Sequence, residues 1–569
     1  MTRHTSDFLR QRSSNLSLRS VAAANAMNTS KLSSFANPSD FETKPVMSQA
    51  EKAFVVGDLA RCAGSMALCD SCYRDIPERY TDKLAFPLTT DRNLCCSCSV
   101  MNSKPEAFTE PFCKFLQENP TVYHAVGYFK DKAAALGYKE LPTRDDWTGK
   151  LEPGGKYFVS RNGSSIIAFT VGKAYKPGNG VAMVAGHIDA LTARLKPVSN
   201  KPTKAGYVQL GVAPYAGALS ETWWDRDLSI GGRVIVKDES GKTLSKLVKL
   251  DWPIARIPTL APHFGRGMMG SQNKETEAVP IIGLDNSDIS SSGAKPVEPL
   301  GPAGSFVSTQ PPRLVQLISK ELGIKDHSQI VNWDLELFDL QPATVGGLDK
   351  EFIFAGRIDD KLCSWAAFQG LLASESNEDD GVIKLVALFD DEEIGSLLRQ
   401  GARGNFLPGT IERTVEALSG EKAFGPGILG QTYAQSFLVS ADVTHAVNPN
   451  FLNLYLENHS PRLNVGIAIA ADSNGHMTTD AVSTAVVTRV CELADCKPQV
   501  FQIRNDSRSG GTVGPMLSSA MGVKAIDAGM AQLSMHSIRA TCGSLDPGLG
   551  AKFFKGFLDN WEKVDAEWQ

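Results

Sequence analysis

The chain has 569 residues and a net charge of −5, with 42% hydrophobic and 21% charged residues. These are globular proportions, which exclude wholesale disorder and collagen-like repeats. The slightly acidic balance disfavours a general nucleic-acid or anionic-membrane binder. No apolar stretch of about 18 residues is free of charge, Gly and Pro, so no membrane span is expected.

Residues 1–36 lack the continuous apolar core and cleavage site of a secretory signal. They carry Arg3, Arg10, Arg12, Arg19 and Lys31 against one acid, Asp7, a pattern open to a transit peptide, a short propeptide or a disordered tail. Residues 57–105 hold Cys62, Cys69, Cys72, Cys95, Cys96 and Cys98. A zinc knuckle needs four ligands on tight turns. No glycine knuckle or strand pattern surrounds these cysteines, and the plainer readings are a poorly structured segment or a translated non-coding insertion. Of eleven cysteines, only Cys363, Cys491, Cys496 and Cys542 follow Cys113. That distribution fits a reducing compartment at the time of folding rather than a disulfide framework.

From residue 106 the pattern becomes regular. Phe112, Phe115 and Leu116 open a helix ending near Asn119-Pro120, and a second helix is expected from Val122 to Leu136. Strands follow at Lys156–Val159, Ser165–Val171 and Val181–Ala185. The middle third contains short strands such as Arg233–Lys237 and Lys246–Leu250, and a Gly/Pro/Ser-rich stretch, 286–313, that reads as a long surface loop. After 351, apolar strands at Leu385–Phe389, Phe437–Ser440, Gly466–Ala470, Val500–Arg504 and Lys524–Ile526 alternate with helical stretches, the last at Ala551–Val564. This alternation predicts an α/β fold with a largely parallel sheet.

Polar clusters follow the apolar strands, where open α/β sheets bind ligands. Val181–Ala185 leads into Gly186-His187-Ile188-Asp189, whose spacing lets both side chains point the same way. Gly356-Arg357-Ile358-Asp359-Asp360 sets two carboxylates side by side, and they repel unless a cation or solvent intervenes. The strand ending at Phe389 runs directly into Asp390, Asp391, Glu392 and Glu393. A solvated charge run is the ordinary reading of four acids, but at the end of a central strand a cation is the natural counterweight. Asp442 follows Phe437–Ser440, and His536 lies in Gln532-Leu-Ser-Met-His536-Ser537. Alone, each of these is a cap, a turn or a core residue. Together they supply two His and several carboxylates without Cys, a set suited to zinc, cobalt or manganese. The donors outnumber what one tetrahedral ion needs, and a two-metal hydrolytic site accommodates them. None of the nine His is followed by Glu, so the single-metal H-E-x-x-H motif is absent. There is no P-loop and no nucleophile elbow. The Gly-rich run Arg508–Gly514, which contains Gly511, reads as a loop closing over the site.

Over residues 106–568 the chain resembles the aspartyl aminopeptidase / vacuolar aminopeptidase I family of dinuclear zinc exopeptidases, through GHIDALTARLKPV, WWDRDLSIGGRV, RIPTLAPHFG, GRIDDKLCSW, DDEEIGS, SADVTHAVNPN, SRSGGTVGP and AQLSMHSIRA. The resemblance implies a three-layer α/β/α catalytic domain in two parts, 106–190 and 351–569. It also implies an inserted, mainly-β dimerisation domain at 191–350, after an N-terminal extension at 1–105. It implies two Zn2+ per subunit, with Co2+ or Mn2+ as substitutes. His187 and Asp442 would bind one ion and Glu393 and His536 the other, with Asp359 bridging. Glu392 would be the general base and Asp189 would orient His187. A cis peptide is expected at Asp359–Asp360. His263 would reach the active site of a neighbouring subunit and bind substrate there.

The same resemblance implies a dodecamer of dimers acting on short peptides, and a propeptide that engages a selective-autophagy receptor. The enzyme would then reach the vacuole after cytoplasmic synthesis, or else remain in the cytoplasm. Residues 6–22, with Phe8, Leu9, Leu16, Leu18 and Val21, match that propeptide weakly, and 57–105 has no counterpart in it. Acid-selective members carry a Lys in the strand that here reads Gly466-Ile-Ala-Ile-Ala470-Ala471. The missing cation predicts a preference for neutral, Leu-like residues, with Ala470 and Gly511 near the substrate. An acid-selective aminopeptidase, a dinuclear carboxypeptidase or deacylase, and a non-catalytic autophagic cargo scaffold are the alternatives.

Overall fold

The computed structural model describes residues 104–264, 273–287, 289, 298–420, 424–508 and 510–568, together with the short parallel strand pair Leu68–Cys69 and Leu88–Thr89. The basic segment 1–36, the weak amphipathic match at 6–22 and the side chains of the Cys-rich stretch lie outside the described residues.

A nine-stranded sheet runs in the order Gln499–Gln502, Ala468–Ala471, Lys524–Gly529, Phe437–Ser440, Val181–His187, Ile383–Phe389, Ser165–Val171, Lys156–Arg161, Lys139–Glu140. Ser165–Val171, Val181–His187 and Ile383–Phe389 are buried along their whole length, as strands covered on both faces must be. Their side chains alternate between two cores. Ala182, Val184, Val386 and Leu388 pack with Phe112, Phe129, Trp365, Phe368, Phe554 and Trp561 on one face. Val181, Met183, Leu385 and Phe389 pack with Phe406, Leu407, Ile411 and Leu517 on the other. Helices Thr109–Glu118, Val122–Ala135, Ile358–Ala373, Ala481–Leu493 and Asp546–Ala566 form the first layer. Phe406–Ser419, Pro426–Ala434 and Val513–Met521 form the second. The expected three-layer α/β/α fold is present.

The sheet is more mixed than the sequence implied. Lys524–Gly529, Phe437–Ser440, Val181–His187 and Ile383–Phe389 are parallel. Ala468–Ala471 and Ser165–Val171 pack antiparallel against the outer members of that set. Strand ends shift by a residue or two, as at Ala468–Ala471 and Gln499–Gln502.

A second, six-stranded antiparallel sheet runs Thr243–Lys249, Leu228–Lys237, Ile330–Asp339, Thr192–Asn200, Tyr207–Tyr215, Ile281–Leu284. Its core joins Ile230, Val234, Trp333 and Leu335 to Leu314, Val315 and Ile318 of helix Pro312–Glu321. The expected loop 286–313 is therefore shorter than the composition suggested. Phe306–Thr309 is a 3-10 turn and Pro312 opens the helix, where a missing N–H costs nothing.

Trp365 is buried among Phe108, Phe112 and Phe115, with ring centroids 6.2, 5.4 and 6.4 Å away, and its indole N–H donates to Tyr128 Oη at 3.2 Å. Trp365→Ala is expected to cost about 3–5 kcal/mol. The check is a urea midpoint that falls while the slope stays unchanged.

Candidate active site

Three of the four parallel strands deliver side chains to one edge of the sheet. His187 is the last residue of its strand. Glu392 and Glu393 open a 3-10 turn just beyond Phe389. Asp442 lies two residues past Ser440. His536 follows the short strand Ala531–Gln532, which itself comes after the fourth parallel strand, Lys524–Gly529. Asp359 has a different origin. It sits at the start of helix Ile358–Ala373, after strand Phe352–Ala355 of a separate three-stranded sheet. The Asp359–Asp360 peptide bond is cis.

These residues converge. His187 Nε2 lies 3.3 Å from Asp359 Oδ1, 3.5 Å from Asp442 Oδ1 and 3.8 Å from Glu392 Oε2. His536 Nε2 lies 3.6 Å from both Asp359 Oδ2 and Glu393 Oε2. Two sets of donors result, His187–Asp359–Asp442 and Asp359–Glu393–His536, each with its ligand atoms within 4.8 Å of one another. Asp442 Oδ1 and Glu393 Oε1 are buried without hydrogen-bond partners among the described residues. A buried carboxylate oxygen without a hydrogen-bond partner, such as Asp442 Oδ1 at 3.5 Å from the His187 ring, is what a cation site presents before the cation is counted. The donor set fits zinc.

A family model described as aminopeptidase I zinc metalloprotease (M18) matches residues 115–558. The chain belongs to the M18 family. It is 43% identical over 477 residues to vacuolar aminopeptidase 1 of Saccharomyces cerevisiae, spanning 83% of this chain and 91% of that one. It is 39% identical over 479 residues to aspartyl aminopeptidase of Aspergillus oryzae, spanning 80% and 96%. Among solved structures, Chaetomium thermophilum mApe1 superposes with a TM-score of 0.77 at 67% identity, covering 82% of this chain and all of that one. A Saccharomyces cerevisiae mApe1 dodecamer gives 0.71 at 39%, covering 81% and 99%. This M18 chain is thus a zinc metalloaminopeptidase, a hydrolase.

Asp189 organises the M18 site. Its Oδ1 is 3.1 Å from His187 Nδ1 and accepts the Glu392 N–H at 3.2 Å. Its Oδ2 accepts the Glu393 N–H at 3.1 Å and the Tyr215 O–H at 2.7 Å. One buried carboxylate therefore holds the imidazole and the acidic turn together. Burial pushes Glu392 up to about 8, with Asp442, Asp189 and Asp359 adding repulsion against the opposing pull of His187. Burial and then the Asp359 charge push Glu393 up to about 10. Burial also resists a charge on His187, but Asp442, Asp189 and Asp359 outweigh it and raise its basicity. Such a cluster is uncomfortable as anions alone, and a divalent ion reverses that sign.

The other expected residues are His263, Ala470 and Gly511, which belong to neither donor set. His263 sits on the 3-10 turn Pro262–Phe264, at the surface. Ala470 is buried in Ala468–Ala471. Gly511 is exposed, and a Cβ there would stand 3.0 Å from His476 O. Two residues escaped the sequence reading. Tyr215 arrives from the second sheet, and nothing in its local pattern marks it. Gln532 is buried with neither amide atom hydrogen-bonded to a described residue, beside a cavity of about 30 Å³ that also borders Asp359, Glu393 and His536. That space has room for about one water.

Proposed function

We propose that this M18 aminopeptidase removes single neutral, Leu-like residues from the N-termini of short peptides, with two Zn2+ per subunit. His187 and Asp442 would hold one ion and Glu393 and His536 the other, with Asp359 available to both; Co2+ or Mn2+ would suit the same donors. The observation that carries this reading is Asp359, whose two oxygens face His187 at 3.3 Å and His536 at 3.6 Å. When bound, zinc supplies Lewis acidity to the scissile carbonyl and to the attacking water.

The chain's own residues do the rest. Glu392 takes a proton from the water and passes it to the leaving amine. Asp189 fixes the His187 ring and the backbone of the acidic turn. His263 acts on substrate from a neighbouring subunit, and Gly511 lies in the loop that closes over it.

The second sheet supports 191–350 as a dimerisation domain inserted between catalytic parts 106–190 and 351–569, behind an extension at 1–105. The relative solved as a dodecamer supports the same assembly here. Likeness to a relative named vacuolar aminopeptidase 1 supports a vacuolar destination, and we read residues 1–105 as the part that engages an autophagy receptor after cytoplasmic synthesis. A cytoplasmic enzyme is the other location compatible with the sequence.

Ala470 supplies no cation for an acidic first side chain, which supports the neutral preference over the acidic one in the name of the Aspergillus relative. Hydrolysis of Leu-, Glu- and Asp-p-nitroanilides by the zinc-loaded enzyme tests it. Leu is expected to be the best substrate, and Ala470→Lys is expected to shift the Leu/Glu ratio at least tenfold toward Glu, the effect of about 1.4 kcal/mol from a new ion pair. An unchanged ratio removes Ala470 from the specificity account. A parent enzyme that prefers Glu or Asp makes this an acid-selective aminopeptidase. Cleavage of N-blocked peptides alone points to a deacylase, and cleavage of nothing to a scaffold.

A further inference from the structure

Tyr215 ends the strand Tyr207–Tyr215, which belongs to the six-stranded sheet and not to the one that carries the active site. Its side chain is buried. Its hydroxyl donates to Asp189 Oδ2 at 2.7 Å and lies 3.4 Å from Asp391 Oδ1. Its ring is covered by the Arg194 guanidinium, 4.0 Å from the centroid. Arg194 lies on the neighbouring strand, and its Nε is 3.9 Å from Glu336 Oε2 on the strand beyond. Three adjacent strands of one sheet therefore hold a phenol against the Asp189 carboxylate, which lies just past the last residue of the other sheet's Val181–His187.

That carboxylate has few other constraints on its second oxygen. Asp189 Oδ1 meets His187 Nδ1 and the Glu392 N–H, while Oδ2 is shared by the Glu393 N–H and the Tyr215 hydroxyl. Without the hydroxyl, Oδ2 keeps one partner, and the carboxylate gains freedom to rotate about the bond that aims Oδ1 at the imidazole. The orientation of an imidazole is set by the hydrogen bond on its far nitrogen.

We infer that Tyr215 is a positioning residue. Acting through Asp189, it fixes the ring of His187 and the turn at Glu392–Glu393, and so ties the order of the six-stranded sheet to the geometry of the active site. The inference rests on the reading of His187 as a metal ligand. Direct partners of a metal ligand typically contribute about 10–100-fold in affinity or activity, which is an upper bound for Tyr215, one hydrogen bond further out.

The test is Tyr215→Phe in the full chain, which keeps the ring under Arg194 and removes one oxygen. Cobalt affinity is measured by competition with a chromophoric chelator, the visible spectrum of the cobalt-loaded protein is recorded, and kcat and KM are determined on Leu-p-nitroanilide. Tyr138→Phe is the control. Tyr138 is also a buried tyrosine, bonded to Thr170 at 3.2 Å within the central sheet region. Tyr215→Phe is expected to weaken cobalt binding several-fold, less than the ~10–100-fold of a direct ligand partner, to alter the cobalt spectrum, and to lower kcat with KM little changed. Tyr138→Phe is expected to match the parent in all four. A Tyr215→Phe protein with the parent's cobalt affinity and spectrum overturns the inference and leaves the metal site standing. A parent that binds no cobalt overturns the metal-site reading itself, and this inference with it.

Discussion

Glu392→Gln is expected to lower kcat by about 10²–10⁴-fold, with zinc content unchanged and KM within a few-fold. The substitution keeps the length and planarity of the side chain. It also keeps the backbone N–H that Asp189 accepts. It removes the one property the role requires, the ability to take up a proton. Glu392 is placed for that role: its Oε2 lies 3.8 Å from His187 Nε2, yet it belongs to neither set of clustered donors. Steady-state kinetics together with metal analysis separate the outcomes. Lost kcat with full zinc supports the proton-transfer role. Lost kcat with lost zinc makes Glu392 a ligand, and retained kcat places the base elsewhere.

Metal removal is expected to abolish activity and to make the stability of the protein fall as pH rises. The sign follows from the acids of the site. In the folded, metal-free chain Glu392 is raised from 4.5 to about 8 and Glu393 from 4.5 to about 10. Below pH 4.5 both are protonated whether the chain is folded or not. Above it the unfolded chain releases their protons and the folded chain keeps them, so stability declines with each step in pH. The decline continues until the folded chain in turn releases these protons, at the raised pKa values of the pair rather than at 4.5. Zinc acts in the opposite direction. Its ligands must be deprotonated, so its stabilisation grows with pH. Melting temperatures from pH 5 to 9, with excess chelator and with zinc, are therefore expected to diverge. Parallel curves mean that the acids carry no such strain.

The chemistry was more legible than the scaffold that holds it. His187, Glu392, Glu393 and Asp442 stand just past buried strands, and an apolar run that stops at a cluster of acids announces itself in one dimension. Asp359 reads the same way but arrives by another route, from the start of a helix behind a different sheet. The antiparallel flanks of the central sheet were not legible, because an all-buried strand has the same composition in either direction. The helix at Pro312 was hidden by the prolines and serines before it, although Leu314, Val315 and Ile318 carry the helical spacing. Tyr215 was beyond reach. Its hydroxyl matters only because two sheets meet there, and no pattern along the strand Tyr207–Tyr215 records that meeting.

Asp359 has one carboxylate and two imidazoles to answer to, His187 on one oxygen and His536 on the other. Two sites joined by a common ligand do not fill as independent events. On the proposed two-ion reading, the first cation would fix the carboxylate for the second and also add its own charge beside it, so preorganisation and repulsion would compete. Whatever factor results is reciprocal: the second ion changes the hold on the first by the same ratio. A metal titration of this protein should therefore depart from two independent isotherms, and Asp359→Asn, which weakens both ends of the coupling at once, should change the shape of the curve as well as its midpoint.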